Sequence, residues 1–401
     1  MTHQDAWRIF SAHPGAEMLA DSSIQETFLD VGGLEAFWRK WYLEDFISSG
    51  YGKVKFLFGG MGAGKTHWLR RLAITSDQLG YLVAFIDARL VRLSDIEELY
   101  RAVVAAIPLA AVVDRACRKI IVDDLGYREF DGDVVEFSYW LEHDRELDPA
   151  LFRRDIREAV DRWLHPQDLA TDFLLAIRSW IYQRLMNETN QHVPEGWLLG
   201  EKLMAPERKS LGVKSSINRR NARAVLSSLA AFSHAAGFPG ILMAIDNFDS
   251  VAKTTRTEGE IYYTRGKRDQ SYEMMRQLID ESVHTPFLML VLGGDRQRLS
   301  DSRSGFPSYP ALWARIENEI STDRVNRFAD AIVLDDLWQE DIENVKRLAS
   351  VWSLHHPEIT PPATRAETET AVGLEWSLAR RVVMAVMSDR NLDIGEGDLD
   401  E

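Results

Sequence analysis

The chain has a single cysteine, Cys117, among its 401 residues. One thiol excludes an intrachain disulfide and leaves no cysteine cluster for a metal. No apolar run reaches the roughly 18 residues needed to span a bilayer. The start lacks the charged-then-apolar form of a signal peptide. Positive charge is also short, with 47 Lys and Arg against 62 Asp and Glu and a net charge of −15. Such a chain does not coat nucleic acid by bulk electrostatics, so any DNA or RNA contact must be local, through a patch or an assembled ring. The histidines are scattered and form no metal-ligand spacing, and there is no G-x-S-x-G elbow. These absences lead us to expect an intracellular, soluble, cytoplasmic protein.

What remains is globular, 45% hydrophobic and 27% charged, and long enough for a large core with insertions. The pattern alternates strand and helix from 54 to 107: "VKFLFG" (54–59), a helix over 65–79, "YLVAFID" (81–87), then a helix from about Ser94, read as its N-cap, to Ile107. That order reads as a βαβ unit with parallel strands. Residues 109–236 read as helices, "KIIVDDL" being the one strand-like run there. Strands resume at "GILMAID" (240–246) and "FLMLVLGGD" (287–295), with a helix around 271–284 between them, and "AIVLDDL" (331–337) reads as a last short strand. The expected fold class is α/β: a P-loop NTPase parallel-sheet core with a large helical insertion and a small helical C-terminal lid. We divide the chain into an N-terminal helical segment (1–50), a first core part (51–108), the insertion (109–236), a second core part (237–337), a lid (338–390) and an acidic tail (391–401). Tryptophans such as Trp140, Trp163 and Trp180 fall at apolar helical positions and read as core.

"GGMGAGKT" (59–66) places four glycines in six positions after a strand and before a helix. It fits G-x-x-x-x-G-K-[ST] at Gly59, Gly64, Lys65 and Thr66. The backbone of Gly59, Gly60, Gly62, Ala63 and Gly64 can wrap a β-phosphate, and Lys65 can bridge β- and γ-phosphates. Thr66 is a Mg²⁺ ligand candidate, and the helix N-terminus, with His67 in its first turn, adds partial positive charge. The loop is therefore expected to bind ATP with Mg²⁺. "ILMAIDNFD" (241–249) supplies the partner strand, ending in Asp246, which would hold the ion through water. Asn247 stands where a glutamate usually orients or deprotonates the attacking water; an amide can position a water but cannot accept its proton. Asp249 is either a substitute carboxylate or a turn residue. Slow intrinsic hydrolysis is the expectation.

Taken in order, "GGMGAGKTHWLRRL", "DARLVRLSDIEELYRAVV", "GWLLGEKLMAPERKSLGVKSSINRRNARAVLSSLA", "GFPGILMAIDNFDSV", "YEMMRQLID" and "YPALWARI" resemble the P-loop ATP-binding proteins of bacterial BREX phage-exclusion systems, in particular the BrxD-like type. The resemblance covers most of residues 30–350. It implies an AAA+ core of the initiator-like (Orc/Cdc6) branch, an ATPase working with other defence proteins on phage DNA. In AAA+ proteins an arginine after the fourth strand acts on a neighbour's nucleotide, which selects Arg315 and implies an oligomer. A lid arginine can sense the γ-phosphate, which selects Arg380, with Arg381 beside it. The sequence departs from the family at Asn247, and from AAA+ proteins at Gly293 and Gly294, where a polar sensor residue is common. Its end soon after the lid helix leaves little room for an appended winged helix.

Lys209, Lys214, Arg219, Arg220 and Arg223 are either a local DNA contact or solvated surface. The same alternatives hold for Arg256, Arg265, Lys267 and Arg268, read as lying on a loop. Against the ATPase or ATP-driven switch stands a hydrolysis-deficient, nucleotide-loaded scaffold that assembles partner proteins. A small-molecule P-loop kinase is a third alternative.

Overall fold

The computed structural model describes residues 24–25, 28, 30–253, 255–317 and 326–340. Helix α1 (Leu34–Trp38) runs on as a π-helical segment to Ile47, and strand β1 (Lys53–Gly59) follows. Then come α2 (Lys65–Gln78), β2 (Leu82–Asp87), α3 (Ile96–Ala106) and α4 (Leu109–Lys119). Helices α5 (Pro149–Leu164), α6 (Thr171–Leu185) and α7 (Ala222–Ala235), with shorter helical pieces between, lead to β3 (Ile241–Asp246). The order closes with α8 (Arg265–Glu281), β4 (Leu288–Asp295), α9 (Pro310–Ile316), β5 (Ala331–Val333) and α10 (Leu334–Glu340).

The strands form one parallel sheet in the order β2-β3-β4-β1-β5. With helices on both faces, this is an α/β, P-loop NTPase-like fold. Parallel strands covered on both sides read as unbroken apolar runs, and β3 is buried at every position. The strand pleat sends Phe56 and Phe58 of β1 into a core shared with α3 to α8, while Leu57 points to the other face. On that second face, Trp68, Leu69 and Leu72 of α2 pack with Leu34, Trp38, Leu43 and Ile47 of the N-terminal helix. Trp38 and Trp68 meet edge to face at 4.8 Å.

One strand residue breaks the apolar pattern. Lys55 is fully buried in β1, a costly position for an ammonium unless its donors are satisfied. Its Nζ donates to Phe328 O at 2.9 Å and Ala329 O at 2.7 Å and lies over the Tyr42 ring at 4.2 Å. Those bonds hold the segment entering β5 against the sheet.

Several local expectations change. "KIIVDDL" is helical: 120–124 continues α4 as a π turn. A short run with β-branched residues suits helix or strand equally, and continuation puts Ile120 and Ile121 into the core that buries Val112, Val113 and Ala116. The N-cap of α3 is Asp95 rather than Ser94, its carboxylate accepting from Glu97 N at 3.1 Å. Thr264 caps α8, so that helix begins six residues earlier than read and takes Arg265, Lys267 and Arg268 out of the loop. "AIVLDDL" is strand only to Val333, where helix α10 takes over. Trp180 is buried, and Trp140 and Trp163 pack partly buried against the core.

Candidate functional site

The loop between β1 and α2 is shaped by its glycines. A Cβ on Gly59 would stand 2.7 Å from that of Ala63, and Gly64 has φ of +91°, where other residues are strained. Helix α2 starts from Gly64 without a side-chain cap, and its first helical bond runs from Trp68 N to Gly64 O. The backbone N–H groups of Lys65 and Thr66 thus make no hydrogen bond among the described residues. Such an N-terminus attracts anions through its donors and the helix dipole. Lys65 folds back over the loop, its Nζ donating to Gly59 O at 2.7 Å and Gly60 O at 2.9 Å. Gly60 N donates to Asp335 Oδ2 at 2.7 Å, tying the loop to α10. His67 turns away to Ile24 O at 3.3 Å and to the edge of Phe28, and its burial lowers its pKa.

The end of β3 meets this loop. Thr66 Oγ1 donates to Asp246 Oδ2 at 2.6 Å, and the Asp246 residue is buried. A hydroxyl and a carboxylate are hard oxygen donors of the type magnesium takes, with phosphate oxygens and water completing the shell. No three His, Cys, Asp or Glu side chains form a metal cluster among the described residues. The pair fits an ion brought in with a nucleotide.

Asn247 follows in the left-handed region at φ of +58°, which asparagine tolerates better than most residues. Its backbone N–H donates to Asp246 Oδ1 at 2.9 Å and its side-chain amide to Asp87 Oδ1 at 3.2 Å. Asp87 ends β2 directly opposite Asp246. Arg89 pairs with Asp87 through Nε at 3.0 Å to both oxygens and through a terminal nitrogen at 2.6 Å. Burial raises the Asp87 pKa, but the Arg89 bonds and charge, with the Asn247 amide, outweigh it and leave the carboxyl below the usual range. Asp249 lies in the 3-10 turn Phe248–Ala252, half-buried, its carboxylate without a hydrogen bond or ion pair among the described residues.

The structure thus brings Gly59, Gly60, Gly62, Ala63, Gly64, Lys65, Thr66, Asp246 and Asn247 to one corner. Arg315 is held elsewhere, on α9, by Asp280 of α8 at 2.6 and 2.9 Å. Arg380 and Arg381 lie outside the described residues. Of the basic segment, Arg219 pairs with Asp95 and Arg223 with Glu281, whereas Lys209, Lys214 and Arg220 are exposed without an ion-pair partner among the described residues. Beside Gly293, Leu69 fills the space a sensor side chain would enter, its Cδ1 only 2.6 Å from an added Cβ.

Sequence reading missed Asp87, Arg89 and Asp335. The signal for the first was present: "LVAFID" and "ILMAID" are two apolar runs that both end in aspartate, and parallel neighbours place those ends together.

The family described as BREX system ATP-binding protein BrxC/D matches residues 40–371. The chain belongs to that family. It is an ATP-binding component of a BREX defence system, and the match includes the glycine loop and the ends of β2 and β3. A comparison with curated proteins returns no match. Among the described residues, no helix is long and apolar enough to cross a membrane.

Proposed function

We propose that this BREX component is an AAA+-type ATPase or nucleotide-controlled switch, cytoplasmic, oligomeric, and acting with other defence proteins on DNA. The observation that carries the reading is the contact of Thr66 with Asp246 across the mouth of an uncapped helix. In this reading the amides of Gly62 to Thr66 hold the β-phosphate. Lys65 leaves the carbonyls of Gly59 and Gly60 for the β- and γ-phosphates, exchanging neutral acceptors for charged ones. Thr66 and Asp246 give up their mutual bond to hold the nucleotide's magnesium. When bound, that ion neutralises charge developing on the phosphates. Asn247 orients the attacking water. Arg315 serves a neighbouring subunit's nucleotide once its bond to Asp280 opens, and Arg380 of the lid senses the γ-phosphate. Lys209, Lys214 and Arg220 form the local DNA contact.

The experiment is phosphate release from ATP by the purified chain, with and without DNA and partner proteins, beside light scattering under saturating ATP. Turnover with ATP-dependent assembly supports the reading; a protein that stays monomeric and inert with all partners present defeats it. A second reading, a nucleotide-loaded scaffold without hydrolysis, is favoured by one observation, the amide at position 247. Bound ATP recovered unhydrolysed from the assembled complex would select it.

A further inference from the structure

We propose that Asp87, at the end of β2, is the carboxylate that accepts the proton of the attacking water, the role the amide of Asn247 cannot fill. The inference rests on the ATPase reading above. Its first support is topological. β2 and β3 are parallel and paired in register, Asp87 opposite Asp246, so both strands deliver their last side chains to the same sheet edge. The second is contact: the Asn247 amide donates to Asp87 Oδ1 at 3.2 Å, placing a group that can orient water beside one that can take its proton. The third is access. Asp87, Thr66 and Arg89 open onto one cavity of about 610 Å³ that runs between β2 and α2 past Val83, Phe85 and Arg70, so water can reach the carboxylate from the α2 side. Asp249 has no comparable link to Thr66, Asp246 or Asn247.

In the step itself, the water oxygen attacks the γ-phosphorus and the bond from that phosphorus to the β–γ bridging oxygen breaks, its electron pair leaving with ADP. The water's proton passes to the Asp87 carboxylate and returns to solvent after phosphate departs. Arg89 occupies both carboxylate oxygens in the resting arrangement. Its side chain is 27% exposed, and in this proposal it swings off Asp87 towards the γ-phosphate when nucleotide binds, exchanging one anionic partner for another. Asp87 also has a local structural bond, accepting from Arg89 N at 2.9 Å as the first residue of a turn. Asparagine accepts that bond equally well, so Asp87→Asn separates the turn from the proton transfer.

The test uses the full chain with ATP and Mg²⁺, in the presence of DNA and the partner proteins that the ATPase reading requires for turnover. Asp87→Asn gives up the partly exposed Arg89 ion pair, so it is expected to stay folded with only a small drop in unfolding temperature. It should bind ATP within about twofold of wild type by calorimetry, while phosphate release falls roughly 100-fold or more. Nucleotide recovered from the variant should be ATP, not ADP. Exchanging the pair, Asp87→Asn with Asn247→Asp, returns a carboxylate to the site and should regain about tenfold of that loss, aspartate also tolerating the left-handed backbone there. Asp87→Asn releasing phosphate at nearly the wild-type rate overturns the proposal, as does a wild type that binds ATP without turning it over. Lost fold or lost ATP affinity in Asp87→Asn, with no recovery in the exchanged pair, assigns Asp87 to the turn alone and also overturns it. A wild type that binds no ATP defeats the ATPase reading and this inference with it.

Discussion

At the glycine loop, Lys65 reaches carbonyls only five and six positions back in the sequence; at the strand ends, Asn247 meets an aspartate 160 positions away. The first flank is a local device, set by Gly59, Gly64 and the uncapped start of α2. The second exists only because the sheet places β2 beside β3. On the proposed ATPase reading, the contrast separates two functions. Gripping a phosphate needs backbone amides and one lysine, which neighbouring residues can supply. Managing a proton needs a carboxylate at one point in space, which any adjacent strand can deliver.

Substitutions on each flank should therefore differ in kind. After the Lys65 and Asp87 substitutions, the largest effect is expected from Asp246→Ala, which removes the carboxylate Thr66 now bonds; magnesium-dependent ATP affinity should fall roughly 10–100-fold with magnesium-free affinity little changed. Calorimetry with and without Mg²⁺ reads this, and equal losses in both arms would move the ion elsewhere. Next is Asp335→Ala, which strips the acceptor from Gly60 N–H in a buried place and should cost about 1–3 kcal/mol in denaturant unfolding. Saturating ATP should narrow that loss if the loop is where nucleotide binds. Asp249→Asn should change turnover less than about twofold, since its carboxylate touches nothing at the site; a loss on the general-base scale would transfer the proton-accepting role from Asp87 to it.

The smallest effect lies far from both flanks and serves as a control. The Arg276 hydrogen bond, helped by Tyr309 and Gln277, holds Glu273 at about 2 against an ordinary 4.5. A depressed carboxylate contributes stability that is present above about pH 4.5 and lost as pH falls toward 2. Glu273→Gln should then unfold at a lower temperature than wild type near neutral pH, the gap closing through that acid window. A gap that persists unchanged at the acid end would remove the ion pair as its cause.

The same division governs what could be read from the sequence. The parallel sheet was legible because β3 and β4 are apolar runs and β1 is one apart from its lysines, and the loop because glycine and lysine sit at fixed spacing. Boundaries failed where a neighbour decided them: α10 starts at Leu334 just before Asp335, whose carboxylate the Gly60 amide engages, and 120–124 stays helical to keep Ile120 and Ile121 in the core. Asp87 went unread because the matching aspartate ends of "LVAFID" and "ILMAID" point to one site only once β2 and β3 are known to be neighbours.

The most direct measurement is a calorimetric titration of Mg²⁺ and ATP into wild type and Lys65→Ala. The account predicts saturable binding by wild type and a loss in the variant of roughly 100-fold, about 2.7 kcal/mol, with both proteins folded. Equal affinity in the two would contradict it, because no other lysine stands in the glycine loop to meet the phosphates.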